Sequence, residues 1–542
     1  MKKTALLAIM FAAVLCSCSK EKLQENNSGN EQIITAYVNA ATSKLAFTDT
    51  EGSGMTSVWE EGDSFYAIQG GAKTVQFTLV SGQGTTSGVF QATTSDVTET
   101  TAWVAVLGNA ATANGTTITC AYKGQSGKVA DLDNNYYITA PATGLEPAFD
   151  FANGTKMSYI IRVKLPAGVK CVEYTPSAYF TVGADGVPAE VTYNSGEVSD
   201  FSAEKTETIS LDNASSAGDV VYITVPAIDF SSTRMLRDGK QNGNTVTAII
   251  ITLLNDTEAD ATASNGTLLD VNLTEKVGKV ATLDLSEISL MSRPTPSQAV
   301  LLTNNDASVS NSTNFLQAAT VNTYWAPFSI GASSESETGN YYSFGELKAN
   351  KPIHSFIAYT LRHAPKGPSY SYDDYMAIKA SKLVDDDLNK TFYTVAGSRY
   401  DVARVVWGTS WRLPHAVEAM GLSGNIVKDN GGLKFVSDNG NSIFFPATGY
   451  YKSVNNETEG FNDEDEVVIW TADKNNRTQG NGGWNEALYF HANVTDCSFG
   501  MDRYQDYCGL TVRPVLVTST FAPLAPSYVN PEANAPTYEE DM

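Results

Sequence analysis

The sequence predicts a mainly β, multidomain protein, and three observations carry that expectation. Apolar residues recur with period two: Val75, Phe77 and Leu79 alternate with Thr74, Gln76 and Thr78, as a strand with one buried face requires. Short β-branched runs at residues 220–225 and 245–254 are separated by turns such as Gly82-Gln83-Gly84 and Asn153-Gly154, a texture that gives little support to long helices. The chain has 542 residues, 42% hydrophobic, 10% aromatic and 18% charged, enough for about three domains at roughly 100–200 residues each. That composition excludes a wholly disordered, collagenous or disulfide-dense chain. Sixty acidic residues against 36 basic ones leave a formal net charge of −24, which argues against a nucleic-acid partner because such a partner needs a basic face.

At the N-terminus, Lys2 and Lys3 precede an apolar stretch at residues 5–15, which ends in Leu15-Cys16-Ser17-Cys18. The stretch is too short to span a bilayer and sits where a signal peptide sits. Its ending resembles a bacterial lipobox, which implies cleavage before Cys18 and lipid on the Cys18 thiol. Residues 1–17 then form a lipoprotein signal peptide, and the polar residues 18–30 form a flexible tether. The expected location is the outer membrane or cell surface, with the lipid as the only membrane contact. Four cysteines remain, Cys120, Cys171, Cys497 and Cys508. An even number in an exported chain allows disulfides, Cys497 with Cys508 being nearest in sequence, and equally allows thiols.

Residues 31–288 continue the β texture, with Pro166 and Pro226 each ending an apolar run, where a missing N–H is harmless. A boundary near 166 divides the stretch into 31–165 and 166–288. Within it, Phe47, Val58-Trp59-Glu60-Glu61-Gly62-Asp63-Ser64-Phe65, Phe77-Thr78-Leu79 and Ser87-Gly88-Val89-Phe90 occur in order, followed by residues 157–168, 220–227 and 278–285. This pattern resembles the fimbrillin-like lipoproteins of Bacteroides-type bacteria, in which a Trp-x-x-Gly-Asp turn joins two strands. The resemblance implies two tandem transthyretin-like β-sandwiches and assembly with other fimbrial subunits into a fimbrium. It also implies cleavage at a basic residue near the N-terminus, for which Lys44 is suitably placed.

Pro294 and Pro296 mark residues 289–314 as a linker between independently stable units. Beyond it, seven blocks follow in order across residues 315–517. They are 325–332, 339–346, 401–414, 441–450, Trp470, 487–490 and 509–515. Together they resemble the Fibrobacter major paralogous domain, which implies a loop-rich α+β module similar to C-type lectin-like and formylglycine-generating-enzyme folds. Residues 518–542 form a Pro-rich tail. Trp325, Trp407 and Trp411 supply apolar bulk to such a fold, while Arg404, Arg412 and Arg513 are expected to tie loop carbonyls and carboxylates together. Residues 415–420, after Pro414, are the expected short helix. His354, His363, His415 and His491 match no metal-binding spacing and are expected to be scattered imidazoles.

No nucleophile elbow, P-loop or dinucleotide fingerprint stands in a suitable context, and Cys497 and Cys508 lie too far apart for the cysteine pair of formylglycine-type oxidation. The sequence therefore predicts no catalysis and no cofactor, although Asp463-Glu464-Asp465-Glu466 supplies abundant carboxylates. Trp484-Asn485-Glu486 is similar to the Trp-Asn-Asp calcium motif of sugar-binding lectins, with Glu486 in place of Asp. Oxygen ligands from Asn485, Glu486, Asp463 and Asp465 make a weak calcium set, and a purely structural loop is the alternative. Tyr450, Tyr451 and Trp484 are candidates to stack on a sugar. The expected function is a fimbrial tip or accessory lipoprotein whose last module adheres to a host or environmental glycan or protein. The alternative is a glycan-capturing lipoprotein of a nutrient-uptake system, without a fimbria.

Overall fold

In the strand Lys73–Ser81, Val75, Phe77 and Leu79 are buried and the residues between them exposed, so the period-two pattern is realised residue for residue. The computed structural model describes residues 31–39, 48–50, 54–56, 58–175, 179–183, 188–190, 206–226, 246–272, 280–310, 315–345, 347, 393–397, 401–454, 458–462, 465–474, 486–505 and 508–523. Cys18, Lys44, Asp463, Trp484 and Asn485 lie outside the described residues, as do residues 1–17 and 18–30, expected as signal peptide and tether, and residues 524–542 of the expected tail 518–542. The fold is mainly β, and among the described residues no helix is long and apolar enough to cross a membrane.

Beside a smaller sheet that includes Thr112–Asn114 and Thr117–Ala121, the first unit is built on one eight-stranded sheet. Its order is Ala148–Asp150, Glu31–Asn39, Ser87–Ser95, Lys73–Ser81, Ser64–Gln69, Ala102–Leu107, Ile138–Thr143 and Thr155–Lys156. The two edge strands are joined by residues 151–154 alone, so the twisting sheet rolls until its edges meet across that turn. One aromatic core fills the roll, including Trp59, Phe65, Phe77, Phe90, Trp103 and Phe149. Trp59 is delivered there by the turn at residues 60–63. The Asp63 carboxylate accepts the Glu60 N–H at 2.6 Å, Gly62 takes a left-handed φ of 89°, and Trp59 meets Phe90 edge-on at 4.8 Å.

The second unit consists of two facing sheets. A three-stranded sheet, Val220–Pro226, Ser158–Lys164 and Val280–Asp284, and a five-stranded sheet, Glu207–Ser210, Cys171–Thr175, Val246–Leu254, Ala263–Asn272 and Met291–Ser292, share a core that includes Tyr159, Ile161, Val172, Ile223, Ile251 and Leu253. The strand Ser158–Lys164 thus pairs on the far side of the boundary drawn at 166. Conversely, the strand Tyr179–Val182 pairs back onto Thr117–Ala121 of the first unit. Sequence order and spatial membership part company here because register is set by long-range pairing.

The third unit holds two larger sheets, built around Phe315–Trp325 and Glu466–Lys474, and two short helices, Val402–Trp407 and Ala416–Met420. The second helix is the one expected after Pro414. The expectation of a plain linker at 289–314 is corrected. Met291–Ser292 is a strand of the second unit, Arg293 is 2% exposed, and Val300–Ser310 pairs along Phe315–Trp325 as the first strand of the third unit.

Candidate functional site

The block at residues 401–414 folds around a buried carboxylate. Asp401 caps the helix Val402–Trp407 by accepting the N–H groups of Ala403 at 3.0 Å and Arg404 at 3.3 Å, and it also accepts those of Gly397 at 2.8 Å and Leu413 at 3.0 Å. One side chain therefore gathers two loops and a helix start, satisfying donors that have no strand to pair with. Next to it, Arg412 donates to both oxygens of the buried Glu418 at 2.7 and 2.8 Å, a two-pronged geometry suited to guanidinium. Glu418 also accepts the His415 N–H at 2.8 Å.

His415 itself is half-buried, and its Nδ1 lies 2.9 Å from Asp473 Oδ1, whose second oxygen accepts the Ala416 N–H at 2.7 Å. Burial opposes charge on the imidazole, but the Asp473 carboxylate and its hydrogen bond outweigh that and raise the His415 pKa. An oriented His–Asp pair is one ingredient of base catalysis. Asp473 divides its oxygens between the His415 imidazole and the Ala416 N–H, and Glu418 holds Arg412 and the His415 N–H, so the same contacts fix one end of the module. His415 was expected to be a scattered imidazole, and Glu418 three residues after it was the available signal of a helix start.

Of the three arginines expected to tie loops, Arg412 and Arg513 do so. Arg513 lies fully buried with its guanidinium carbon 4.3 Å from the Phe445 ring centroid, and it donates to Ser329 Oγ and the Ala326 carbonyl, both at 3.2 Å. Arg404 instead acts on Glu173 of the second unit, and its buried Nη1 has no hydrogen-bond partner among the described residues.

Of the calcium set, Asp463 and Asn485 lie outside the described residues, and Asp465 and Glu486 are not brought together. The strands Glu466–Lys474 and Glu486–Asn493 are antiparallel, with Glu466 opposite Asn493 and Lys474 opposite Ala487. Asp465, whose carbonyl accepts the Val494 N–H, is therefore separated from Glu486 by the length of that strand, roughly 24 Å at about 3.4 Å per residue. One ion cannot bridge them, and among the described residues no group of three or more His, Cys, Asp or Glu could hold a metal. The strand Glu486–Asn493 begins instead at the end of the module that carries His415 and Asp473. Tyr450 is 8% exposed and packs with Trp470 and Tyr489 in the core, so it is not a sugar platform. Tyr451 lies in the hairpin Tyr450–Val454 with Thr458–Asn462. Cys497 and Cys508 are not joined by a disulfide. Cys508 is buried in one core cluster, while Cys497 packs at the edge of another.

Sequence reading missed a second buried polar assembly, which lies where the second and third units meet. Glu173, Thr252 and Gly266 form a row across three neighbouring strands, and the helix Val402–Trp407 sits on it. Thr252 Oγ1 donates to the Val405 carbonyl at 2.8 Å. A Cβ at Gly266 would fall 1.5 Å from that same oxygen, so only glycine permits the approach. Arg293 closes the joint, donating to Glu258 Oε2 at 2.6 Å, the Trp407 carbonyl at 2.5 Å and the Ala261 carbonyl at 3.2 Å. The one advance signal was an arginine placed directly before Pro294.

Searches against protein-family models and against curated proteins match no family and no relative.

Proposed function

We propose that this chain is a cell-surface lipoprotein of fimbrillin type that presents its C-terminal, lectin-like module as a non-catalytic adhesive head, as a fimbrial tip or accessory subunit. In this reading the β units are transthyretin-like and act as a stalk from the lipid at Cys18. The observation that carries the reading is the joint itself. The last module is seated on the second unit through Arg293, Glu258, Thr252 and the close approach at Gly266, which fixes the direction in which a head faces, as a flexible linker would not. The engagement of Asp401, Glu418 and Asp473 in holding backbone favours binding over acid–base chemistry. The net charge of −24 favours neutral glycans or protein surfaces over polyanions as ligands.

Two experiments test it. Cys18→Ser should abolish fatty-acid labelling and release the protein from membranes; unchanged labelling would remove the anchor from the account. The chain from residue 19 onward is then screened on immobilised neutral glycans and matrix proteins, and any complex is footprinted by hydrogen exchange. Protection within residues 300–523 is expected. Protection confined to 31–292, or turnover of a bound glycan, would overturn the assignment.

A further inference from the structure

We propose that the joint between the second and third units is a pH-gated latch, closed while Glu173 carries a proton and loosened when Glu173 is ionised beside Glu258. The inference is independent of what the head binds. Its basis is a convergence of two carboxylates on one backbone position. Gly408 follows the helix Val402–Trp407 with a left-handed φ of 98°, and a Cβ there would lie 2.5 Å from Glu258 Oε2 and 3.0 Å from Glu173 Oε2. The two acids come from different segments of the second unit and meet at the seam with the third.

Their partners differ. Glu258 has the Arg293 ion pair on Oε2 and the Ser410 N–H at 3.0 Å on Oε1. Glu173, 4% exposed, receives one hydrogen bond among the described residues, from the neutral Thr409 hydroxyl at 2.9 Å. The charges facing Glu173 are Glu258 and Arg293 from its own unit and Arg404 from the helix. Further out, Asp256 acts on neighbouring Cys171, and Glu207 lies beside Tyr174. Arg293 already serves Glu258 and the Trp407 and Ala261 carbonyls, and Arg404 attracts Glu173 without a hydrogen bond to it among the described residues, so a second ionised carboxylate at this seam is compensated only at a distance. Two acids so placed resist joint ionisation.

Burial first, and then the charge of Glu258, push the Glu173 carboxyl up to about 7, against the pull of Thr409, Arg404 and Arg293. A carboxyl raised in the closed state stabilises that state below its ordinary range. This stabilisation is lost as pH climbs from the ordinary range through about 7. The latch therefore holds in acid and eases at and above neutrality.

Hydrogen exchange of the chain from residue 19 onward, corrected for intrinsic rates, provides the test. Between pH 5 and pH 8, peptides covering 402–411 and 255–268 should lose protection together, by roughly tenfold or more, while peptides within 64–107 hold theirs. Glu173→Gln should match the native chain at pH 5, where both are uncharged at this position, and should keep its protection at pH 8. The proposal fails if the native chain shows no pH response, if Glu173→Gln keeps the response, if 64–107 loosens equally, or if the variant is already unprotected at pH 5.

Discussion

The first unit and the C-terminal module solve the same packing problem with opposite materials. In the rolled sheet, Phe65 alone meets Phe77, Phe90, Phe149 and Phe151 with ring centroids 5.0 to 5.5 Å apart. Long strands such as Glu31–Asn39 and Ser87–Ser95 pair along nine residues. Backbone donors there are satisfied by ladders, so the interior is left to apolar side chains. In the C-terminal module the long pair Val300–Ser310 and Phe315–Trp325 stands beside Tyr341–Tyr342, Trp411–Arg412, Leu510–Thr511 and Val515–Leu516, strands of two residues each, and buried Asp401, Glu418, Asp473 and Arg513 occupy the interior. Where ladders are short, buried charges take over the task of satisfying the backbone, and the core becomes dependent on their pairing.

The largest expected effect follows from that dependence. Arg412→Ala leaves Glu418 buried without its cation, and denaturant unfolding of the chain from residue 19 should show a loss of about 3–5 kcal/mol. Asp401→Asn keeps one acceptor but turns an amide toward backbone donors, and should cost about 2 kcal/mol in the same assay. The apolar core should be more forgiving. Phe77→Leu is a moderate change of volume in an all-apolar surround, for which about 1 kcal/mol is expected. If Phe77→Leu cost more than Arg412→Ala, the contrast between the two interiors would be wrong. The smallest effect is electrostatic. NMR titration should find the His415 imidazole holding its proton above the usual histidine range, since Asp473 outweighs burial. Stability from this pair is present in acid and lost as pH rises through the raised value, and Asp473→Asn should bring the titration down.

How far these features were legible differs along the chain. The alternation at residues 74–79 is visible because strand periodicity is local, and so was the turn that carries Trp59. The helix Val402–Trp407 also carries local signals, with Asp401 before it and Gly408 after it as a cap at each end. Asp465 and Glu486 show the limit. They are 21 positions apart in the chain, and only the antiparallel register, with Glu466 opposite Asn493, reveals that they stand at opposite ends of a strand. Arg293 shows the same limit in reverse, because it reads as a linker residue until the Trp407 carbonyl arrives beside it.

The C-terminal module is seated on the second unit through a buried polar joint, and hydrogen exchange of Arg293→Ala at pH 5, compared with the native chain, probes that seating. Residues 255–268 and 402–411 should lose protection together while 64–107 are unchanged. Loss confined to 255–268, with 402–411 as protected as before, would show instead a module that stands by itself.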